Sequence, residues 1–285
     1  MSRYFSGTLL IQAAILGGLS YIAHAARLRV PDQFQDLQAA LNGCGVGDTV
    51  LVSPGTYNGQ FVLPARTMTL MSEFELSGDS LDWLECRLNG DRGGCVLTTS
   101  TSTGDSVTIS GFVIENGYGE YQIQSNSGGL TIRDGIHLNV RHLVFQNNEQ
   151  SPGLSRGRSI FGSSSSSSAR LQDIRIQSDS LTNGLEQVAL WMGRGLEIDR
   201  LWIDGTHDQG RAAHLDGDPL RVRHMQVRGY SDVPQFWVKF GSDGIMDLDD
   251  VLIRDNSATG DFQVFAGPRF RAPSVRGFVF EGNQH

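Results

Sequence analysis

Between residues 107 and 283 one eleven-residue pattern is written seven times, and this repetition restricts the fold more than any other feature of the chain. The first copy reads Val107-Thr108-Ile109-Ser110-Gly111-Phe112-Val113-Ile114-Glu115-Asn116-Gly117. Its apolar residues alternate on either side of Gly111, which places one row of side chains on each face of a strand. The interrupting glycine predicts a bend, and Asn116-Gly117 predicts a turn. Three columns are apolar in every copy. One runs Ile109, Val140, Leu171, Ile198, Val222, Leu248, Val275; three residues later stand Phe112, Leu143, Ile174, Leu201, Met225, Val251, Phe278; two further on stand Ile114, Phe145, Ile176, Ile203, Val227, Ile253, Phe280. Successive copies are 31, 31, 27, 24, 26 and 27 residues apart.

A unit of that length cannot bury an apolar face alone, so units must stack into a solenoid. A sandwich of hairpins would show turn signals every 8 to 12 residues, less than half the observed period. A second strand precedes the first in several rungs, at Leu130-Thr131-Ile132, Val188-Ala189-Leu190, Ala212-Ala213-His214 and Phe236-Trp237-Val238. Polar residues at Asn148, Asp179, Asn256 and Asn283 are expected in stacked turns, and the serine run Ser163 to Ser168 is expected to be a loop.

Ahead of the repeats, the spacing of Phe34, Leu37, Ala40 and Leu41 predicts an amphipathic helix between Pro31 and Gly47, with Asp32 able to cap its start and Gly43 to end it. Such a helix would cover the first open strand edge. Strands follow at Gly47–Val52, Phe61–Leu63 and Met68–Met71, with a turn from Ser53 to Tyr57. The order Ala39-Ala40-Leu41, Gly47-Asp48-Thr49-Val50, Pro54-Gly55-Thr56-Tyr57 resembles the opening of secreted right-handed parallel β-helix proteins of the pectate-lyase-like superfamily. Thr69–Glu73 and Ile109–Gly117 resemble its bacterial repeat-containing members, and the likeness covers roughly residues 28 to 283. It speaks to fold far more than to activity. The expected architecture is therefore all-β, a single right-handed parallel β-helix with a short N-terminal capping α-helix.

Residues 1–25 read as a secretory signal peptide: Arg3, an apolar run from about Leu9 to Leu19, then Ala23-His24-Ala25 as a small-x-small cleavage pattern. The alternative, a membrane anchor, is disfavoured by the shortness of the run. Residues 26–285 form the β-helix domain, expected outside the cell, at its surface or in a periplasm, and not as an integral membrane protein. The formal net charge of −8 argues against nucleic acid as a partner. Three cysteines suit an oxidising compartment. Cys86 and Cys95 flank the Asn89-Gly90 turn, and a bridge between them or buried thiols are equally compatible with the sequence.

The alignment also sorts the charges. One column beside the apolar row runs Thr108, Asn139, Arg170, Glu197, Arg221, Asp247, Ser274; the other runs Ser110, Arg141, Gln172, Asp199, Arg223, Asp249, Arg276. Strands about 4.8 Å apart bring such residues into contact. Arg221, Arg223, Asp247 and Asp249 thus read as self-neutralising ladders rather than as a catalytic cluster. The run Asp247, Asp249, Asp250 supplies carboxylate oxygens of the kind calcium takes, though without a loop of recognised ligand spacing.

Outside the ladders, His207, Asp208, Arg211, His214, Asp216 and Asp218 gather in one rung, followed by Trp237 and Lys239, the chain's only lysine. Two functions compete. In the first, the chain is a non-catalytic carbohydrate-contacting, adhesive or structural module, with Trp237, His207 and Asp218 against a polysaccharide or cell-surface glycan. In the second, it is a polysaccharide lyase acting on an acidic polymer, with Lys239, Arg211, His214 and Asp216 neutralising a carboxylate, removing the adjacent proton and protonating the leaving oxygen. Lyases resembling this fold take their base from a Lys or Arg on an outward strand face. His214 aligned with Leu190 and Ile132 would instead be a core histidine, and Lys239 could lie along the surface. The final copy has no capping element after it, so a further C-terminal region or a partner chain is expected over it.

Overall fold

The structure, a computed structural model, describes residues 25–78, 84–119, 127–151, 157–177, 183–205, 209–268 and 274–284. It is an all-β, right-handed parallel solenoid of about seven turns with two short helices. Every strand pair among the described residues is parallel, as a chain that always turns the same way requires. Two sheets form its walls. The long first sheet runs from Arg27–Val30 through Ser106–Glu115, His137–Gln146, Ser168–Gln177, Leu196–Asp204, Leu220–Arg228 and Met246–Arg254 to Ser274–Arg276. The second runs from Phe61–Leu63 through Leu130–Ile132, Ile160–Ser164, Asn183–Met192, Gln209–Gly217 and Val233–Ser242 to Ala258–Pro268.

The three apolar columns fall in register residue for residue. Ile109 faces Val140, Val140 faces Leu171, and the series continues through Ile198, Val222 and Leu248 to Val275. The side chains of the first six copies, with those of Leu190, Leu215, Val238 and Phe240 from the second sheet, fill one continuous core, while in the last copy Phe278 only packs against it and Val275 and Phe280 are exposed. Stacking each residue on its equivalent is what lets so short a repeat close an interior.

The bend predicted at Gly111 is present in every copy. Gly111, His142, Asp173, Arg200, His224, Asp250 and Gly277 all have φ between +51° and +84°. Each drops out of the pairing register, so the strand bends there and resumes its pairing within the same sheet. A Cβ on Gly111 would come within 2.2 Å of Ser72 Oγ, which explains glycine at that rung. At the following corner, Asn148 Oδ1 accepts the Gly117 N–H while its amide donates to the Ile114 carbonyl; Asn256 serves Tyr230 and Val227 in the same manner, and the Asn283 amide donates to Ile253. The expected turn role of these asparagines is thus present, while Asp179 lies outside the described residues.

The first helix is shorter than the sequence suggested, Leu37–Gly43, and Asp36 rather than Asp32 caps it, accepting the N–H groups of Gln38 and Ala39 at 3.2 and 3.0 Å. The residues from Pro31 to Gln33 turn instead, because they follow directly on the edge strand Arg27–Val30. Gln38 closes the edge of the second sheet: its side chain accepts the Val62 N–H and donates to the Val62 carbonyl. Those are the bonds a missing strand would have made, so the helix caps the solenoid by imitating one more rung.

The serine run is not a free loop. Ser163 and Ser164 end the strand Ile160–Ser164, Ser168 begins the next, and only three residues turn the corner between them. The Ser167 hydroxyl contacts Ser164 Oγ and the Arg133 carbonyl, so small hydroxyl residues satisfy the tight corner. Among the described residues no helix is long and apolar enough to cross a membrane. Residues 1–24, and with them most of the expected signal segment, lie outside the described residues.

Candidate functional site

The second sheet carries on its outer face the side chains singled out above, but in a register one residue from the alignment. Leu190 pairs with Leu215 and Val188 with Ala213, both inward; His214 pairs with Ala189 on one side and Lys239 on the other, facing out. His214 is therefore not a core residue of the interior. It is nonetheless buried, 7% exposed, because aromatic neighbours cover it from outside. Its ring lies 4.4 Å from that of Trp191, edge to face, and 5.9 Å from that of Trp237. Trp191 in turn meets Phe161 at 6.1 Å. Ala189, between Phe161 and His214 in the column, leaves room for the indole of Trp191 to lean across it. The result is an aromatic row running along the solenoid axis over four successive rungs.

Burial and the nearby Lys239 ammonium push the His214 imidazole down to about 4, so it is neutral over the ordinary range of pH. Its Nε2 has no hydrogen-bond partner among the described residues. Such a ring is an apolar filler with one unused nitrogen, unsuited to carrying positive charge.

Arg211 is also committed. Its guanidinium sits 4.4 Å over the Trp237 ring and donates to Gln235 Oε1. Arg211, Gln235, Phe236, Trp237, Asp261 and Gln263 line a shallow groove of about 170 Å³. Lys239 does not line it; half-buried, it stands one rung beyond His214. Asp216 lies beside Gly241 and Trp191 on the same face. Asp218 is separate: it is exposed at the corner before Pro219, against Gly244 rather than Trp237. His207 lies outside the described residues. The structure thus brings Lys239, His214, Asp216, Trp237 and Arg211 onto one wall and leaves Asp218 off it.

On the first sheet the charged columns are stacked as the alignment requires. Glu197 sits 3.6 Å from both Arg170 and Arg221, and Arg276 reaches Asp249 at 3.4 Å and Asp247 at 3.9 Å. The calcium reading is corrected here. Among the described residues no group of three acidic, histidine or cysteine side chains is placed to hold a metal ion; Asp247 and Asp249 face arginines and Asp250 occupies a left-handed corner. The Cys86–Cys95 bridge is also absent: Cys44, Cys86 and Cys95 are buried free thiols. Cys86 packs against the Ser53 carbonyl on the first wall, while Cys95 contacts the Leu97 and Gly129 carbonyls on the second. The chain between them turns a corner without folding back. Burial, with the nearby Glu73 carboxylate, raises the Cys86 thiol well above its ordinary range, leaving it inert.

One constellation escaped the sequence reading. Side chains of the left-handed corner join with Glu75 and Asp199 into a line: Glu75 to His142 at 2.6 Å, His142 to Asp173 at 3.5 Å, Asp173 to Arg200 by two bonds, Arg200 to Asp199 at 2.8 Å, and Asp199 to His224 at 2.9 Å. The Arg200 hydrogen bonds hold the Asp173 carboxyl below the usual carboxylate range. The clue was the composition of that column, Gly, His, Asp, Arg, His, Asp, Gly, rich in residues that tolerate positive φ. With every acid matched to a base, the line is scaffold.

No protein-family model, curated protein or solved structure matches the chain.

Proposed function

We propose that this chain is an exported β-helix protein of the pectate-lyase-like type whose second-sheet wall contacts carbohydrate as a binding surface without catalysis. The observation that carries this reading is the outward row of Phe161, Trp191, His214 and Trp237, with Arg211 over the last of them. Half-buried tryptophans offer flat apolar surface for sugar rings, and Gln235, Asp261 and Gln263 around Trp237 offer hydrogen bonds to hydroxyls. Rungs repeat about every 4.8 Å, so the row extends along one direction, as a polymer does.

Chemistry on this wall is poorly supplied. His214 is neutral and covered, and the Arg211 guanidinium is already engaged. A second reading, β-elimination on an acidic polysaccharide, is favoured by one arrangement: Lys239 directly beside His214 on the outer face. Isothermal titration against a panel of oligosaccharides tests the first reading. Trp237→Ala and Trp191→Ala should each weaken binding at least about tenfold, roughly the loss of one stacked ring. Binding indifferent to both variants removes the proposal. Growth of unsaturated-uronate absorbance, lost in Lys239→Met, would establish the lyase instead.

A further inference from the structure

A second concave site lies at the corner where the second wall passes into the first, away from the aromatic row. We propose that this corner groove binds a tetrahedral oxyanion, sulfate or phosphate, either free or as an ester. Its volume is about 270 Å³, and it is lined by Arg170, Arg194 and Arg221 together with His137, Ser168 and Glu197.

Several other arginines of the first sheet have a carboxylate within direct hydrogen-bond range: Arg228 has Asp204 at 3.0 Å, Arg141 has Glu75 at 3.0 Å and Arg87 has Glu115 at 2.7 Å. The groove is lined by three arginines and a single carboxylate, Glu197, which stands 3.6 Å from the nearest nitrogen of Arg170 and of Arg221. That is outside direct hydrogen-bond range, so the N–H donors of both forks remain available. Arg194, at the exposed corner itself, makes no ion pair among the described residues. Asp247 follows Arg221 in the ladder but is shared with Arg276 and does not line the groove. A chain of net charge −8 therefore keeps a local excess of positive charge in one hollow.

The shape of the anion follows from where the donors stand. Arg170 and Arg221 approach from rungs on either side of Glu197, about 10 Å apart along the axis at the usual strand spacing. Arg194 comes from the corner, and the Ser168 hydroxyl, 2.8 Å from His137 Nδ1, lines the groove as well. A planar carboxylate directs its oxygens in one plane and suits a single guanidinium fork. Donors arriving from three directions suit an anion with oxygens in three directions.

The test is calorimetric titration of the whole chain with sodium sulfate and sodium phosphate at constant ionic strength held by chloride. Glucosamine 6-sulfate and glucose 6-phosphate, with their uncharged parent sugars, form the ester arm. The expectation is saturable binding of a tetrahedral anion that chloride does not match. Arg194→Ala and Arg170→Ala should each weaken it at least tenfold. Arg170→Lys, which keeps the charge and loses the fork, should fall between, and Arg92→Ala, an equal loss of charge at a distant pair, should leave it unchanged. Tighter binding of the esters than of the free ions identifies a presented group; binding of the ions alone identifies a free anion. Heat that chloride reproduces, or equal affinity in folded Arg194→Ala and Arg170→Ala, overturns the proposal.

Discussion

His214 offers the sharpest quantitative test, because its burial depends on neighbours contributed by two other rungs. An unfolded chain takes up a proton at this residue near pH 6.5, whereas the folded chain resists until about 4. Between those values the unfolded state binds the extra proton, so stability falls as pH falls; above the window and below it, the residue contributes no slope. At about 1.4 kcal/mol for each pH unit separating the two midpoints, the whole window is worth roughly 3 kcal/mol. Replacing His214 by Phe keeps a flat ring between Trp191 and Trp237 and removes the titration. Denaturant unfolding of both proteins from pH 7.5 to 3.5 should therefore show the variant gaining on the wild type by that amount as the medium is acidified. Lys239→Met should move the imidazole midpoint partway back toward 6.5, since the ammonium is the lesser of its two causes. A stability difference between wild type and variant that stays constant across the window, or an imidazole resonance titrating near 6.5 in the folded protein, would refute the burial of His214 and with it the neutral aromatic row.

Three further outcomes follow from the corners. Asp173→Asn keeps a residue that accepts φ of +54° while removing the charge held by Arg200, and should cost about 1 kcal/mol in urea unfolding at pH 7. That difference should vanish on acidification below pH 4, because the native carboxyl is held low and its stabilisation is lost as it is protonated. Gly111→Ala must accept both a left-handed backbone and a collision with Ser72, for a loss of about 2–3 kcal/mol by the same measurement. Asn256→Ala strands the Tyr230 N–H and the Val227 carbonyl in a buried corner; about 2–3 kcal/mol is expected, and faster hydrogen exchange at Tyr230 should accompany it.

Most of the first sheet was legible in the sequence because stacking enforces identity of position. Val140 must be apolar where Ile109 is apolar, so counting residues reproduces the hydrogen-bonded register. The second sheet was legible only as a set of strands. Irregularities in pairing between Asn183 and Glu186 and between Val233 and Gln235 break the alternation, and counting from outside cannot tell which face follows. That is why His214 was aligned with Leu190 when its partner is Ala189. The cysteines stayed open between a bridge and buried thiols for a related reason: nine residues around a turn bring two side chains together in a hairpin, whereas here the turn is a corner between walls. The line of charged corner residues needed backbone angles that no side-chain pattern announces, beyond its share of glycine, aspartate and histidine.

Glu75 has a mechanical consequence. From the short helix Phe74–Ser77, just past the strand Met68–Ser72, its carboxylate takes the Ser110 hydroxyl one rung on and both Arg141 and His142 two rungs on. Solenoids ordinarily lend each repeat only its neighbours' support, so a turn can open while those beyond it hold. A clasp spanning three turns couples them, and the strands Met68–Ser72, Ser106–Glu115 and His137–Gln146 should lose their amide protection as one block, with Glu75→Gln dividing it.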